Sequence, residues 1–152
     1  MPRVLIIGYG NPLKSDDGLG WHAAHELSRH ASSPEVKVIY SHQLTPEMAE
    51  EVSHAELAIF IDARQGGTPG EVNCVAVSQG EGEQQPPLGS GTHDISPRVI
   101  LELAGKLYGN SPLAYLLTVS GEDFDDGESL SQAVASALPN VIAVARNLIS
   151  KV

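Results

Sequence analysis

The apolar run Val4-Leu5-Ile6-Ile7 passes without a break into Gly8-Tyr9-Gly10-Asn11-Pro12-Leu13-Lys14-Ser15-Asp16-Asp17-Gly18-Leu19-Gly20. Four consecutive aliphatic residues with no polar alternation describe a strand covered on both faces, as in a parallel sheet wrapped by helices. The glycine-rich turn then delivers two adjacent carboxylates near the carboxyl end of that strand, where an α/β fold usually holds its ligand. The loop is neither of the common phosphate cradles. Leu13 stands where a dinucleotide fingerprint has its third glycine, Pro12 removes a backbone donor, and no Gly-Lys-Ser/Thr follows.

Further along, strand-like and helix-like segments alternate. Val36 to Tyr40, Leu57 to Ile61 and Leu113 to Val119 read as strands. Gly18 to His30 repeats Leu19, Ala23 and Leu27 on one helical face. Thr45-Pro46-Glu47 reads as a helix start, with Thr45 as N-cap and Pro46 at the first helical position, leading into Met48 to Val52. Ser96-Pro97 caps a helix through Leu107, and Leu130 to Val152 forms a terminal helix in which Pro139 predicts a kink or a restart. Val72 to Val77 follows the third strand too closely for a crossover helix and is expected antiparallel at an edge. Gln79 to Thr92 has no apolar period and reads as a mobile loop. The expected fold is α/β, a three-layer sandwich with a largely parallel twisted sheet, one antiparallel edge strand and helices on both faces. It forms a single domain over 1–152.

At 41% hydrophobic content the chain can bury one core, and its formal net charge of −10 argues against nucleic acid or an anionic membrane as partner. A cationic ligand or basic peptide suits it better. No apolar stretch approaches the ~18 residues of a membrane span and no signal-peptide core is visible, so a cytoplasmic protein, acting as a monomer, is expected. The single Cys74 excludes an internal disulfide or a cysteine zinc cage; its alternation in Val72 to Val77 predicts a packed core residue.

If the sheet order is 2-1-3, the carboxyl ends of the first and third strands adjoin at a switch point, and Asp17 and Asp62 converge on one crevice. His93, arriving on the loop beyond the edge strand, would complete an O, O, N set that suits a borderline divalent metal such as nickel or zinc. Plainer readings stand beside this one. Asp16 or Asp17 would cap the Leu19 helix, Asp62 would bond a turn amide, and His93 would be a solvated loop residue. His22 and His25 are expected on a solvated helical face. There is no Gly-x-Ser-x-Gly elbow and no His-Glu-x-x-His helix. Two rival classes are a phospho-receiver domain, which also carries acids after its first strand and an Asp at the end of its third, and a non-catalytic nucleotide-binding module. Against the first, Gly8 to Ser15 intervene before the acids and no Lys ends Leu113 to Val119; against the second stands the broken glycine pattern.

The opening strand with Gly8-Tyr9-Gly10-Asn11-Pro12-Leu13 and Ser15-Asp16-Asp17-Gly18-Leu19-Gly20, the strand end Ile59-Phe60-Ile61-Asp62-Ala63, and Gly91-Thr92-His93 together resemble the [NiFe]-hydrogenase maturation endopeptidases over essentially the whole chain. The resemblance implies an α/β protease that removes a C-terminal peptide from the hydrogenase large-subunit precursor once nickel has been inserted, the nickel arriving with the substrate. It implies Asp17, Asp62 and His93 as the groups facing that metal, with Asp16 a further candidate for acid-base work. His42-Gln43-Leu44, where many members read Asp-Gly-Gly, is similar to the proteases of bidirectional, NAD(P)-linked hydrogenases and implies a role in substrate choice. One position departs from the family. A proline often precedes the acid in the loop after the last strand, whereas Gly121 precedes Glu122 here.

Overall fold

A computed structural model of the chain describes residues 3–30, 34–78 and 95–152. The segment 79–94, which contains Gln79 to Thr92, read above as a mobile loop, and also His93, lies outside the described residues. The elements run β1 (Val4–Tyr9), a 3-10 turn (Ser15–Gly18), α1 (Leu19–His30), β2 (Val36–Ser41), α2 (Met48–Ser53), β3 (Leu57–Arg64), β4 (Val72–Ala76), α3 (Pro97–Tyr108), β5 (Leu113–Ser120) and α4 (Gln132–Ile149).

The five strands form one sheet in the order β2-β1-β3-β5-β4. β1 pairs in parallel with β2 and β3, β3 in parallel with β5, and β4 closes the edge antiparallel to β5. The alternation of side chains divides the core into two. Val4, Ile6, Leu57, Ile59 and Ile61 face Leu19, Ala23 and Leu27 of α1 and Val134, Val141 and Ala145 of α4. Leu5, Ile7, Ala58 and Phe60 face Ala49 and Val52 of α2 and Ile100, Leu101 and Ala104 of α3. The chain therefore leaves β1 over one face and returns from β2 to β3 over the other, so β1 and β3 flank a switch point. Among the described residues no helix is long and apolar enough to cross a membrane.

The close seat of α1 on the sheet depends on two glycines that the dinucleotide comparison passed over. A Cβ on Gly20 would lie 2.1 Å from the Ile61 carbonyl oxygen and 2.5 Å from that of Tyr9, and one on Gly8 would lie 2.0 Å from the Gly20 carbonyl oxygen. Backbone cannot move aside as a side chain can. Gly20→Ala should cost about 3 kcal/mol, at the upper end of ordinary overpacking, measured as a lowered urea midpoint with unchanged m. A midpoint equal to wild type would mean that α1 can ride up without loss.

Three local expectations are corrected. Thr45 does not cap α2: the helix begins at Met48 behind Glu47, with no side-chain cap, because Thr45 to Met48 closes as a turn through Met48 N donating to the Thr45 carbonyl at 3.1 Å. Cys74 is exposed rather than packed, toward the outer end of the edge strand, where burial falls away after Val72 and Asn73. Of the kink or restart expected at Pro139, the restart does not occur, since the single span of α4 includes that residue, which is exposed. Ser96 behaves as expected, accepting from Val99 N at 3.2 Å with Pro97 in the first turn.

Candidate functional site

Tyr9 closes β1 with the parity of Leu5 and Ile7, and Asp62 follows Phe60 on β3, so both side chains rise on the α2–α3 face at adjacent strands. Asp62 Oδ1 accepts from Ala63 N at 2.7 Å, and the Tyr9 hydroxyl donates to the same carboxylate. Burial is the main influence on Asp62, and with the nearby charge of Asp17 it outweighs these two bonds and pushes the carboxyl from 3.8 to about 7. Burial, and then the Asp62 charge, hold the Tyr9 phenol well above its ordinary value. Tyr9 therefore stays protonated and serves as a donor.

Asp17 arrives from the other side of the switch point, in the 3-10 turn before α1. Its Oδ2 accepts from Asn11 N at 2.8 Å. Gly10, at φ 143°, permits this return of the chain, because a Cβ there would lie 1.9 Å from the Asp17 carbonyl oxygen. Asp17 and Asp62 line one open cleft of about 810 Å³ with Tyr9, His42, Gln43, Leu44, Ser96 and Pro97. The volume is within the range of ordinary ligand sites. Of the segment 42–44, His42 and Gln43 are exposed on the rim, whereas Leu44 is 6% exposed and packs in the core that covers α2. His93 lies outside the described residues, and among these no three His, Cys, Asp or Glu side chains are grouped to hold a metal ion. Two oxygen donors of the expected set thus share the cleft.

Asp16 points elsewhere. It is fully buried and caps no helix; its Oδ1 accepts from Ser131 N at 2.7 Å, and its Oδ2 from Glu122 N at 2.8 Å, Asp123 N at 3.0 Å and Ser131 Oγ at 2.8 Å. Burial opposes its ionisation, but these four donors prevail and hold the carboxyl below its ordinary value. Neither carboxylate of the pair caps α1, correcting that expectation, and Asp16 anchors the acidic loop. The loops are stitched further by Ser15 N to Gly127 O, Gly127 N to Leu13 O, and Ser15 Oγ to Asp125 O at 2.7 Å. These bonds hold Ser15 at φ 54°, an unusual conformation for a non-glycine residue. Glu122 is exposed and contributes its backbone amide.

His22 is not on a solvated face. Its Nε2 is buried with no hydrogen-bond partner, and burial, then the charge of His25, lower its affinity for a proton. Its ring lies edge-on to Trp21 at 5.3 Å. Sequence reasoning missed Tyr9, which continuing the β1 alternation by one step past Gly8 would have found, and it missed Ser131, for which no local signal exists.

No family model matches the sequence, and no curated protein matches it. Solved structures do. They include the hydrogenase 2 maturation peptidase from Thaumarchaeota archaeon SCGC_AB-539-E09, at 20% identity and TM-score 0.73 over 97% of this chain and 98% of that one. The [NiFe] hydrogenase maturation protease HycI from Thermococcus kodakarensis KOD1 aligns at 18% identity and TM-score 0.76, covering 97% and 92%. The hydrogenase maturating endopeptidase HybD from E. coli aligns at 19% identity and TM-score 0.75, covering 98% and 93%. At such identities the likeness is one of fold, and it extends from end to end of the chain.

Proposed function

We propose that the chain is an endopeptidase that removes the C-terminal extension of a [NiFe]-hydrogenase large-subunit precursor after nickel insertion. The observation that carries this reading is the meeting of Asp17 and Asp62, from opposite sides of the switch point, in one open cleft. The end-to-end likeness of fold to solved maturation proteases supports it. On this reading the nickel belongs to the substrate. Asp17, Asp62 and the imidazole of His93 offer borderline-to-hard donors, and the precursor's thiolates supply the softer ligands that bring the metal in. The metal then orients the scissile peptide or polarises its carbonyl toward attack by water. The four donors on Asp16 leave Asp17 and Asp62 as the carboxylates available to that chemistry.

Incubation of the purified protein with nickel-loaded precursor should release a C-terminal peptide detectable by mass spectrometry, and nickel-free precursor should remain intact. Asp17→Asn, Asp62→Asn and His93→Ala should each slow release by about a hundredfold or more, in line with loss of a group that contacts the reacting centre. Adding nickel to the enzyme alone should not rescue cleavage. Efficient cutting of nickel-free precursor in the presence of chelator would overturn nickel recognition and point to an acid protease. Exchanging residues 42–44 for Asp-Gly-Gly tests the bidirectional-hydrogenase subtype. With Leu44 in the core, the informative part of the exchange is His42 and Gln43, which should shift preference among precursors more than maximal rate.

A further inference from the structure

On its α2–α3 face the sheet changes character in a single step. The row Ile39, Ile7, Phe60, Leu116 and Val75, in register across all five strands, is apolar. One rung further toward the carboxyl ends of the parallel strands, the same face carries Ser41, Tyr9, Asp62, Thr118 and Asn73. Nearness to solvent does not explain the change, because the other face stays apolar to the same ends. There Ile61 and Val119 are buried, and Ala63 and Val72 pack against that core. Tyr9 and Asp62 belong to the site described above; Thr118 stands in register beside Asp62, and Asn73 beside Thr118.

Thr118 and Asn73 are half-buried and uncharged. Their side chains make no hydrogen bond among the described residues, and neither is sealed from solvent: among those residues the unpartnered side-chain atom cut off from water is His22 Nε2. Leu116, two residues before Thr118 on the same face of β5, lines the cleft together with Asp62, Ser96 and Pro97, so the floor of the cleft runs out over β5. A hydroxyl and a carboxamide each donate and accept, which matches the N–H and C=O of a peptide backbone and selects no particular side chain. Neighbouring strands lie about 4.8 Å apart, so the line from Asp62 to Asn73 spans roughly 10 Å, the length of about three residues of extended chain.

We propose that Thr118 and Asn73 form a shelf that takes the backbone of the precursor's C-terminal extension where it leaves the reacting centre. The inference rests on the endopeptidase reading for its substrate. On that reading the retained side of the scissile bond brings the thiolates to the metal, so the chain that continues past the metal is the extension, and β5 and β4 are the strands that continue the floor beyond Asp62. The shelf touches neither the metal nor the bond, so it adds to binding rather than to turnover, and it accepts extensions of different sequence.

Thr118→Val removes the hydroxyl while keeping the shape and β-branching that suit a strand, and Asn73→Ala removes the amide. With nickel-loaded precursor carrying its full extension, each variant should raise KM about fivefold and leave kcat within about twofold, as expected for loss of one neutral hydrogen bond made equally in ground and transition states. A precursor whose extension ends one residue after the cleaved bond does not reach the shelf, and on it both variants should match wild type. Replacing the extension by an unrelated sequence of the same length should preserve the fivefold effect. An unchanged KM on the full extension, an equal rise on both precursors, or a fall in kcat at unchanged KM would each overturn the shelf while leaving the endopeptidase reading in place. Absence of cleavage of either precursor by wild type would overturn the endopeptidase reading, and the shelf's substrate with it.

Discussion

Asp16→Ala should cost about 4 kcal/mol of stability, enough to leave a marginal domain largely unfolded at growth temperature. The carboxylate is fully buried and satisfies three backbone amides and one hydroxyl, from residues 106 to 115 positions away. Its removal strands those donors out of water, each at about 1–3 kcal/mol before any relaxation. Asp16→Asn should cost about half as much, since an amide presents one acceptor and sets its NH₂ against donors on the other side. Asp17→Asn is the control. Its oxygen can still accept from Asn11 N, so stability should stay within about 1 kcal/mol while processing falls. Because the folded carboxyl of Asp16 lies below its ordinary value, its contribution is present above that ordinary value and lost as the pH falls through the folded one. The difference between wild type and Asp16→Asn should therefore narrow in acid. Urea midpoints that agree to within about 0.5 kcal/mol at neutral pH would show that the acidic loop holds without its anchor.

What could be read from the sequence follows the range of the physical signal. The antiparallel edge follows from connection length, since a short link between β3 and β4 admits no crossover helix, whereas the meeting of Asp17 with Asp62 follows only once the strand order 2-1-3 is supplied, which the local apolar period does not fix. Which carboxylate of the Asp16-Asp17 pair faces the cleft does not follow. Their adjacency in the chain is symmetric, and the asymmetry comes from Ser131 and the Glu122 and Asp123 amides, brought back by β5 and the start of α4. Cys74 shows the same limit from the other side. Alternation tells which face of a strand a residue takes, but not that the strand stands at an edge where that face runs out of cover. His22 fails for a third reason. Helical spacing alone does not reveal that Trp21, His25 and Tyr40 assemble an aromatic wall around it.

Asp62→Asn is expected to make a more stable protein and an inactive one. The side chain pairs with Ala63 N and the Tyr9 hydroxyl, yet burial and the charge of Asp17 raise its carboxyl to about 7. A group whose folded value lies above its unfolded one contributes no penalty in acid, where both states are protonated, and destabilises progressively as the pH rises through the folded value. From 3.8 to about 7 the full gap corresponds to about 4 kcal/mol, reached above neutrality and reduced by whatever water enters the open cleft. Asparagine keeps an oxygen for Ala63 N and carries no charge to desolvate. The variant should thus match wild type near pH 4, gain about 2–4 kcal/mol by pH 8 in urea or thermal unfolding, and lose processing of nickel-loaded precursor. A gain that is equal at both pH values would show that the effect is packing rather than charge. No gain at pH 8 would show that Asp62 ionises freely in the folded protein, and that the cleft holds its two carboxylates at no cost.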